Sequence, residues 1–173
     1  MPDAPEALFE SWLAAHGAAV LKIARAYTHS TEDCQDLTQE ILIQCWCSLP
    51  QFQGRAAAAT WFYRVALNTA LTWSRNDRRR RARRTPLFEL DGLSDPGVDV
   101  VQSAARKELV ERLYAAVRRL SGTDAALVLL YLDNLTYRQI AEVLGITESN
   151  VGVKLNRARR ALSQLLQEEP HDP

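Results

Sequence analysis

Residues 136–162 read TYRQIAEVLGITESNVGVKLNRARRAL, and this stretch decides the fold of the C-terminal part of the chain. Thr136 and Gln139 have the spacing of a capping box, in which two side chains satisfy free backbone amides at the start of a helix. Gly145 favours the left-handed turn that ends such a helix, and Thr147 is a candidate N-cap for the next one. That next helix carries an apolar stripe at helical spacing, made of Val151, Leu155, Ala158, Leu162 and Leu165. The stretch therefore predicts a helix-turn-helix.

The face opposite this stripe is a candidate DNA-binding surface. Turning the stripe inward places Lys154 on the flank and directs six residues outward: Ser149, Gly152, Val153, Asn156, Arg157 and Arg160. Asparagine hydrogen-bonds to base edges, and arginine binds guanine or phosphate. We therefore predict binding to duplex DNA. The alternative is a solvent-exposed face of an all-helical protein.

The rest of the chain also has helical periodicity, and no segment alternates strictly as a half-buried strand does. We expect an all-α protein. The first part begins with apolar residues at helical spacing within residues 6–27, which predict either one helix or two helices broken near Gly17. A second helix is expected to be capped by Thr31 and to end near Leu49. A loop at 51–59 and a helix at 60–84 follow it.

Residues 85–104 differ in composition, with prolines, glycines and acidic residues, and they predict a linker. Helices from Ala105 to Leu120 and from Asp124 to Leu132 follow it. Residues 125–132 are apolar enough for a buried strand, but their helical surroundings favour a helix. The expected architecture is two small helical domains, 1–84 and 105–173, joined by a flexible acidic linker at 85–104.

The composition of the 173-residue chain excludes several classes of protein. No apolar run is long enough to cross a membrane, and the first residues lack the segments of a signal peptide. Three cysteines indicate a reducing compartment, so we expect a cytoplasmic protein with buried thiols. No phosphate-binding loop, metal-ligand cluster or catalytic constellation stands out. We therefore expect no cofactor, no metal, no small-molecule substrate and no direct membrane insertion.

The net charge is formally zero, but the charges are segregated along the chain. Residues 55–84 hold nine arginines and one acid, Asp77, which indicates an anionic partner. The predicted helix at 60–84 has one apolar face, made of Phe62, Val65, Ala66, Thr69, Ala70 and Trp73. A second face leads into the arginine run and consists of Trp61, Arg64, Asn68, Thr72 and Arg75.

This second face favours contact with a separating DNA strand. Aromatic rings stack on unpaired bases, and arginines contact the phosphates. The alternative for Trp61 and Tyr63 is packing against the preceding helix, and the alternative for the arginine run is a solvent-exposed helix end.

Three segments occur in series: EDCQDLTQEI at 32–41, WFYRVALNTA at 61–70, and the helix-turn-helix that ends in RARRAL at 157–162. Together they resemble bacterial RNA polymerase sigma factors of the extracytoplasmic-function group, over about residues 6–168. The resemblance implies a transcription initiation factor with sigma region 2 in the first domain and sigma region 4 in the second.

The resemblance also implies a role for each surface. Binding to the β′ clamp helices of core RNA polymerase would use Asp36, Gln39, Glu40 and Ile43. The loop at 53–59 and the helix after it would melt and bind the −10 element through Trp61, Arg64, Asn68, Arg75, Arg79, Arg80 and Arg81. The second domain would lie at the β flap and bind the −35 element through Arg138, Ser149, Val153, Lys154, Asn156, Arg157 and Arg160. The implied regulator is a membrane-linked anti-sigma factor.

The competing hypothesis is an adaptor that occupies an anti-sigma factor and never binds a promoter. An adaptor needs neither Asn68, nor the arginine run, nor a capped helix-turn-helix, so the initiation factor is favoured. An enzyme is a distant third hypothesis.

Overall fold

The computed structural model describes residues 5–82 and 102–168, and these ranges contain seven α-helices and no strand. The helices are Pro5–Tyr27 (α1), Thr31–Ser48 (α2), Ala58–Ala82 (α3), Gln102–Arg119 (α4), Gly122–Leu132 (α5), Tyr137–Leu144 (α6) and Glu148–Glu168 (α7). A short 3-10 helix, Leu49–Gln51, follows α2. The all-α prediction is confirmed, including the helical interpretation of residues 125–132. Most of the predicted linker and the tail after Glu168 lie outside the described residues.

Helices α1 to α3 form the N-terminal domain around an apolar core. Val20 of α1, Leu37 and Ile41 of α2, and Phe62 of α3 are almost completely buried in it. Burial of each such side chain contributes roughly 1.5–3 kcal/mol. Helix α1 runs through Gly17 without a break, so the first of the two predicted alternatives, a single helix, is the one observed.

Four helix starts differ from the sequence-based expectation. Helix α3 begins at Ala58, two residues before the predicted start and inside the predicted loop. Ser30, not Thr31, caps α2: its backbone is extended, and its hydroxyl accepts a hydrogen bond from the Asp33 amide at 3.1 Å. Ser121 caps α5 in the same way, so this helix begins two residues before Asp124. Helix α4 is described from Gln102, three residues before the predicted start. Serine is as good a cap as threonine, so the capping residue type alone did not fix the boundary.

The helix-turn-helix of α6 and α7 is confirmed in detail. Thr136 and Gln139 form both hydrogen bonds of the capping box, and Gly145 has a φ of 67°. The hydroxyl of Thr147 accepts a hydrogen bond from the Asn150 amide at 3.2 Å. The predicted stripe of α7 faces the core, where the residues Val151, Leu155 and Ala158 are almost fully buried.

Helical spacing predicts one apolar face on α6, made of Tyr137, Ile140, Ala141 and Leu144. The structure differs from this prediction at two positions. Val143, which was not assigned to that face, is buried, while Tyr137 is 43% exposed. Tyr137 is the first residue of α6, and its ring lies over Gly152 of α7, 3.6 Å from where a Cβ would stand. Gly152 is therefore half-buried beneath this ring and does not face outward as predicted.

The two domains pack directly against each other, which the sequence did not predict. Helices α1 and α3 contact α4, α5 and α6. Tyr27 of α1 lies with Val117, Leu120 and Ala125 at the seam between the domains, and all four are buried in one continuous apolar cluster.

Candidate nucleic-acid and protein interfaces

Helix α7 presents the predicted DNA-binding residues to solvent. Lys154 is half-buried on the flank, while the exposed residues are Ser149, Val153, Asn156, Arg157 and Arg160. Val153 is 71% exposed, and an apolar side chain in this position suits contact with a thymine methyl group. The face thus combines hydrogen-bonding, cationic and apolar groups.

Three arginines on or near this face have partners within the chain. Arg157 lies 3.8 Å from the carboxylate of Asp124, and Arg138 lies 3.4 Å from that of Glu142. The guanidinium of Arg159 stands 5.3 Å above the ring of Tyr131. Exposed ion pairs of this kind are weak, so DNA phosphates can displace them.

A groove of about 750 Å³ runs between α2 and α3. Its lining is mostly amide, hydroxyl and charged, and consists of Glu40, Gln44, Asn68, Thr69, Thr72, Trp73, Asn76 and Arg79. The structure therefore brings two predicted −10 residues, Asn68 and Arg79, to the same groove as Glu40 of the predicted polymerase-binding set. Gln44 and Asn76 also line the groove, and neither was predicted as a site residue. Asn76 could have been found, because it lies eight residues after Asn68 and so on the same helix face.

Trp61 belongs to a cluster of three aromatic side chains. Its ring centroid lies 5.4 Å from that of Trp12 in α1 and 5.6 Å from that of Phe52, and Phe52 is 4.9 Å from Trp12. Trp61 is half-buried. The cluster fixes the loop after α2 against α1 and α3. Trp61 thus has a packing role, but its ring partners lie in α1 and in this loop, whereas the alternative named the preceding helix, α2.

Two other residues of α3 contact the C-terminal domain. The hydroxyl of Tyr63 donates a hydrogen bond to Asp133 at 2.9 Å. The guanidinium of Arg64 donates to the backbone oxygens of Glu142 and Val143, at 2.5 and 3.4 Å. Arg64 is exposed despite these contacts, as are Asn68 and Arg75, while Tyr63 is half-buried. The predicted −10 face is thus partly covered by the chain itself.

The predicted polymerase-binding face of α2 is accessible. Asp36, Gln39 and Ile43 are exposed, and Glu40 is half-buried, where it accepts a hydrogen bond from Gln44 at 2.9 Å. Trp46, which was not predicted, extends this face one turn beyond Ile43. It is 41% exposed and packs edge-on against Phe9 at 5.3 Å. The sequence signal for it was its position three residues after Ile43, a spacing that places both side chains on one helix face.

The cysteines show no sign of a shared site. Cys45 is buried, and burial raises the pKa of its thiol to about 12. Cys47 is exposed, so the expectation of buried thiols is wrong for this residue. It lies two residues after Cys45, and this spacing turns it to the opposite side of the helix. Within residues 5–82 and 102–168, no group of three or more potential metal ligands occurs, and no helix is long and apolar enough to cross a membrane.

Comparison with known proteins assigns both domains. The family described as Sigma-70 region 2 matches residues 12–81, and Sigma-70, region 4, matches residues 110–162. RNA polymerase sigma factor YlaC of Bacillus subtilis (strain 168) is 30% identical over 139 residues, which are 79% of each chain. This chain is an RNA polymerase sigma factor.

The sigma factor belongs to the extracytoplasmic-function group. It is 28% identical over 162 residues to the ECF RNA polymerase sigma factor SigM of Mycobacterium tuberculosis (strain H37Rv), which covers 91% of this chain and 76% of SigM. Its fold is similar to that of the sigma factor RpoE in complex with the anti-sigma factor NepR from Bartonella quintana. The TM-score is 0.70 at 18% identity, over 94% of this chain and 98% of the other.

Membership of this family identifies the sigma factor as a promoter-directing transcription initiation factor that acts with core RNA polymerase. Sigma factors as a family are transcription factors and not enzymes. The matched ranges place α1 to α3 in region 2 and most of α4 to α7 in region 4.

Proposed function

We propose that this sigma factor binds the polymerase β′ clamp helices through α2, melts and binds the −10 element along α3, and binds the −35 element through α7. The observation that carries this assignment is the groove between α2 and α3, because it joins one predicted polymerase-binding residue to two predicted DNA-binding residues. We propose domain limits at residues 1–84 and 105–173.

The docking surface on α2 consists of Asp36, Gln39, Glu40 and Ile43, extended by Trp46. Exposed tryptophans are enriched among the residues that dominate binding energy in protein interfaces. Carboxylates at the rim steer association with a basic partner and set register. This combination suits a helix that docks against other helices.

The −10 surface comprises the groove with Asn68 and Arg79, continued by Arg75, Arg80 and Arg81. Amide side chains form hydrogen bonds with unpaired bases, and the arginines neutralise the phosphates of the strand. Trp61 acts here by holding the preceding loop at residues 53–59 in place, since its ring is packed against Trp12 and Phe52. Arg64 joins this surface once its contacts with α6 are released.

The −35 surface is the exposed face of α7. Asn156 and Arg157 are the residues for base contacts, Val153 faces a thymine methyl group, and Ser149, Lys154 and Arg160 contact phosphates. Arg138, on the first helix of the motif, lies where a helix-turn-helix crosses the DNA backbone. The β flap is the proposed polymerase contact of this domain.

We further propose that an anti-sigma factor regulates the protein and that it acts in the cytoplasm with the polymerase. The support for the first point is that the structurally similar RpoE was solved with the anti-sigma factor NepR.

Directed transcription with purified core polymerase tests the proposed function. The intact chain is expected to initiate at defined promoters, whereas an adaptor would not. Asp36→Lys should abolish holoenzyme formation measured by gel filtration, because it reverses a charge at the docking face. Glu10→Lys is the matched control, since Glu10 is an exposed acid on α1. Equal loss in both variants, or unchanged affinity in Asp36→Lys, would reject the docking surface.

A further inference from the structure

A small cavity of about 70 Å³ lies where α3, α4 and α5 meet, and it is separate from the groove between α2 and α3. Its apolar wall includes Tyr27 and Val117. Its polar wall comes from several segments and consists of His29, Ser74, Asp77, Arg78 and Arg118. None of these polar residues belongs to the surfaces proposed above for polymerase or promoter DNA, so the cavity has no role in that assignment.

The polar wall carries more positive than negative charge. Arg78 and Arg118 are cationic, and Asp77 is the one acid among the described residues that line the cavity. Asp77 already takes part in an interaction within the chain. His29 is exposed and adds a further positive charge when it is protonated. A small anion that enters the cavity would therefore meet a net positive field.

Arg118 is a half-buried cation whose charge is only partly balanced. Its guanidinium donates a hydrogen bond to the backbone oxygen of Arg25 at 3.2 Å and forms no ion pair within the described part of the chain. Burial lowers the pKa of Arg118, and although Glu111 raises it, Glu111 is itself paired with Arg25. A guanidinium stays protonated and has five N–H donors. The contact with Arg25 therefore leaves most of these donors for another acceptor.

The size of the cavity selects a small ligand. One buried water needs about 10–15 Å³ of such space, so the cavity holds at most roughly five water-sized groups. A tetrahedral oxyanion such as phosphate, with one central atom and its oxygens, matches this count. A nucleobase or a whole nucleotide is too large, and a DNA strand cannot pass through a space of this size.

The chemistry of the lining suits phosphate among the small anions. Guanidinium groups bind phosphate oxygens through paired, charge-assisted hydrogen bonds, and a serine hydroxyl is a further donor. Gly122 and Ala125, in the first turn of α5, also line the cavity. The positive end of the helix dipole adds to the attraction of a negative charge there.

We propose that this cavity, lined by Arg118, Arg78 and Ser74, is a binding site for inorganic phosphate in the free sigma factor. The bound phosphate supplies the counter-ion that Arg118 lacks and contacts α3, α4 and α5 at once. Its binding free energy adds to the stability of the folded chain, so that stability depends on the surrounding phosphate concentration. The site shares no residue with the proposed polymerase and promoter surfaces, and the proposal does not rest on the proposed function.

Titration of the full chain with inorganic phosphate, followed by NMR of the backbone amides at constant ionic strength, tests the site. The amides of the lining residues should shift saturably, with a dissociation constant below about 10 mM. Arg118→Gln should weaken binding at least about ten-fold, because it removes the charge but keeps a polar side chain. Arg119→Gln is the matched control, since Arg119 is exposed on the same helix, pairs with Glu168 and does not line the cavity.

A second variant, Ser74→Leu, fills the cavity without changing its charge and should abolish the saturable shifts. Far-UV circular dichroism checks that both variants fold. Phosphate at high concentration stabilises proteins without binding to a site, so melting temperatures are compared at or below about 10 mM phosphate, against chloride of equal ionic strength. The wild-type chain should gain several degrees and Arg118→Gln should gain none.

Three results would overturn the proposal. The first is equal phosphate affinity of the Arg118→Gln and Arg119→Gln variants, and the second is unchanged binding by Ser74→Leu. The third is displacement of phosphate by a short single-stranded oligonucleotide, which would assign these cations to the DNA-binding surface.

Discussion

Replacing Arg157 tests whether α7 reads sequence, and the structure sets the expected size of the effect. The guanidinium is 71% exposed and its observed partner is Asp124 at 3.8 Å. An exposed pair of this kind contributes about 0.2–1 kcal/mol, whereas a bidentate contact with guanine contributes about 1–3 kcal/mol to base discrimination. Arg157→Ala should therefore weaken binding to the −35 duplex by about 5- to 150-fold.

The same geometry predicts an effect of opposite sign at Asp124. Asp124→Asn keeps the shape of the side chain but removes the charge that competes with DNA for Arg157. Affinity for the −35 duplex should rise by up to about 5-fold, which corresponds to the upper value for an exposed pair. The first turn of α5 loses a favourable acid, so the melting temperature should fall slightly.

Both effects are measurable by fluorescence anisotropy with holoenzyme on a labelled −35 duplex and on a random duplex of equal length. Arg106→Ala is the matched control, since Arg106 is an exposed arginine on α4 and lies outside the helix-turn-helix. If Arg157→Ala weakens binding to the −35 duplex and to the random duplex equally, Arg157 contacts only phosphate. Weaker binding by Asp124→Asn would show that Asp124 does not compete with DNA.

Three further predictions concern other parts of the molecule. Replacing the arginines at 79–81 with alanine should reduce the slope of log K for DNA binding against log salt concentration by about 0.7–0.9 per lost phosphate contact. The reduction should be the same for promoter DNA and random DNA, and a change for one promoter only would contradict this prediction. Gly145→Ala should lower the melting temperature by several degrees, because a φ of 67° costs a side chain about 1–2 kcal/mol. Gly152→Ala should not lower the melting temperature, because its added Cβ would lie at an ordinary contact distance from the Tyr137 ring. Calorimetry on the two variants measures the difference. Asn68→Ala should reduce permanganate reactivity of unpaired thymines near −10 while −35 duplex binding persists, and loss of that binding would refute the division of roles.

The sequence predicted the local features of the fold because each rests on a few neighbouring residues. The capping box at Thr136, the turn at Gly145 and the buried stripe from Val151 follow from spacing alone, and the structure shows all three. Boundaries were less certain where two adjacent residues could both cap a helix, as Ser30 and Thr31 can.

The packing between the domains could not be predicted in the same way. The residues that join the domains, such as Lys22 and Asp133, lie far apart in the chain, and neither has a spacing that marks it as a partner of the other. Trp61 shows the same limit within one domain. Its position on the polar face of α3 follows from periodicity, but its burial depends on Trp12 and Phe52, which come from two other segments.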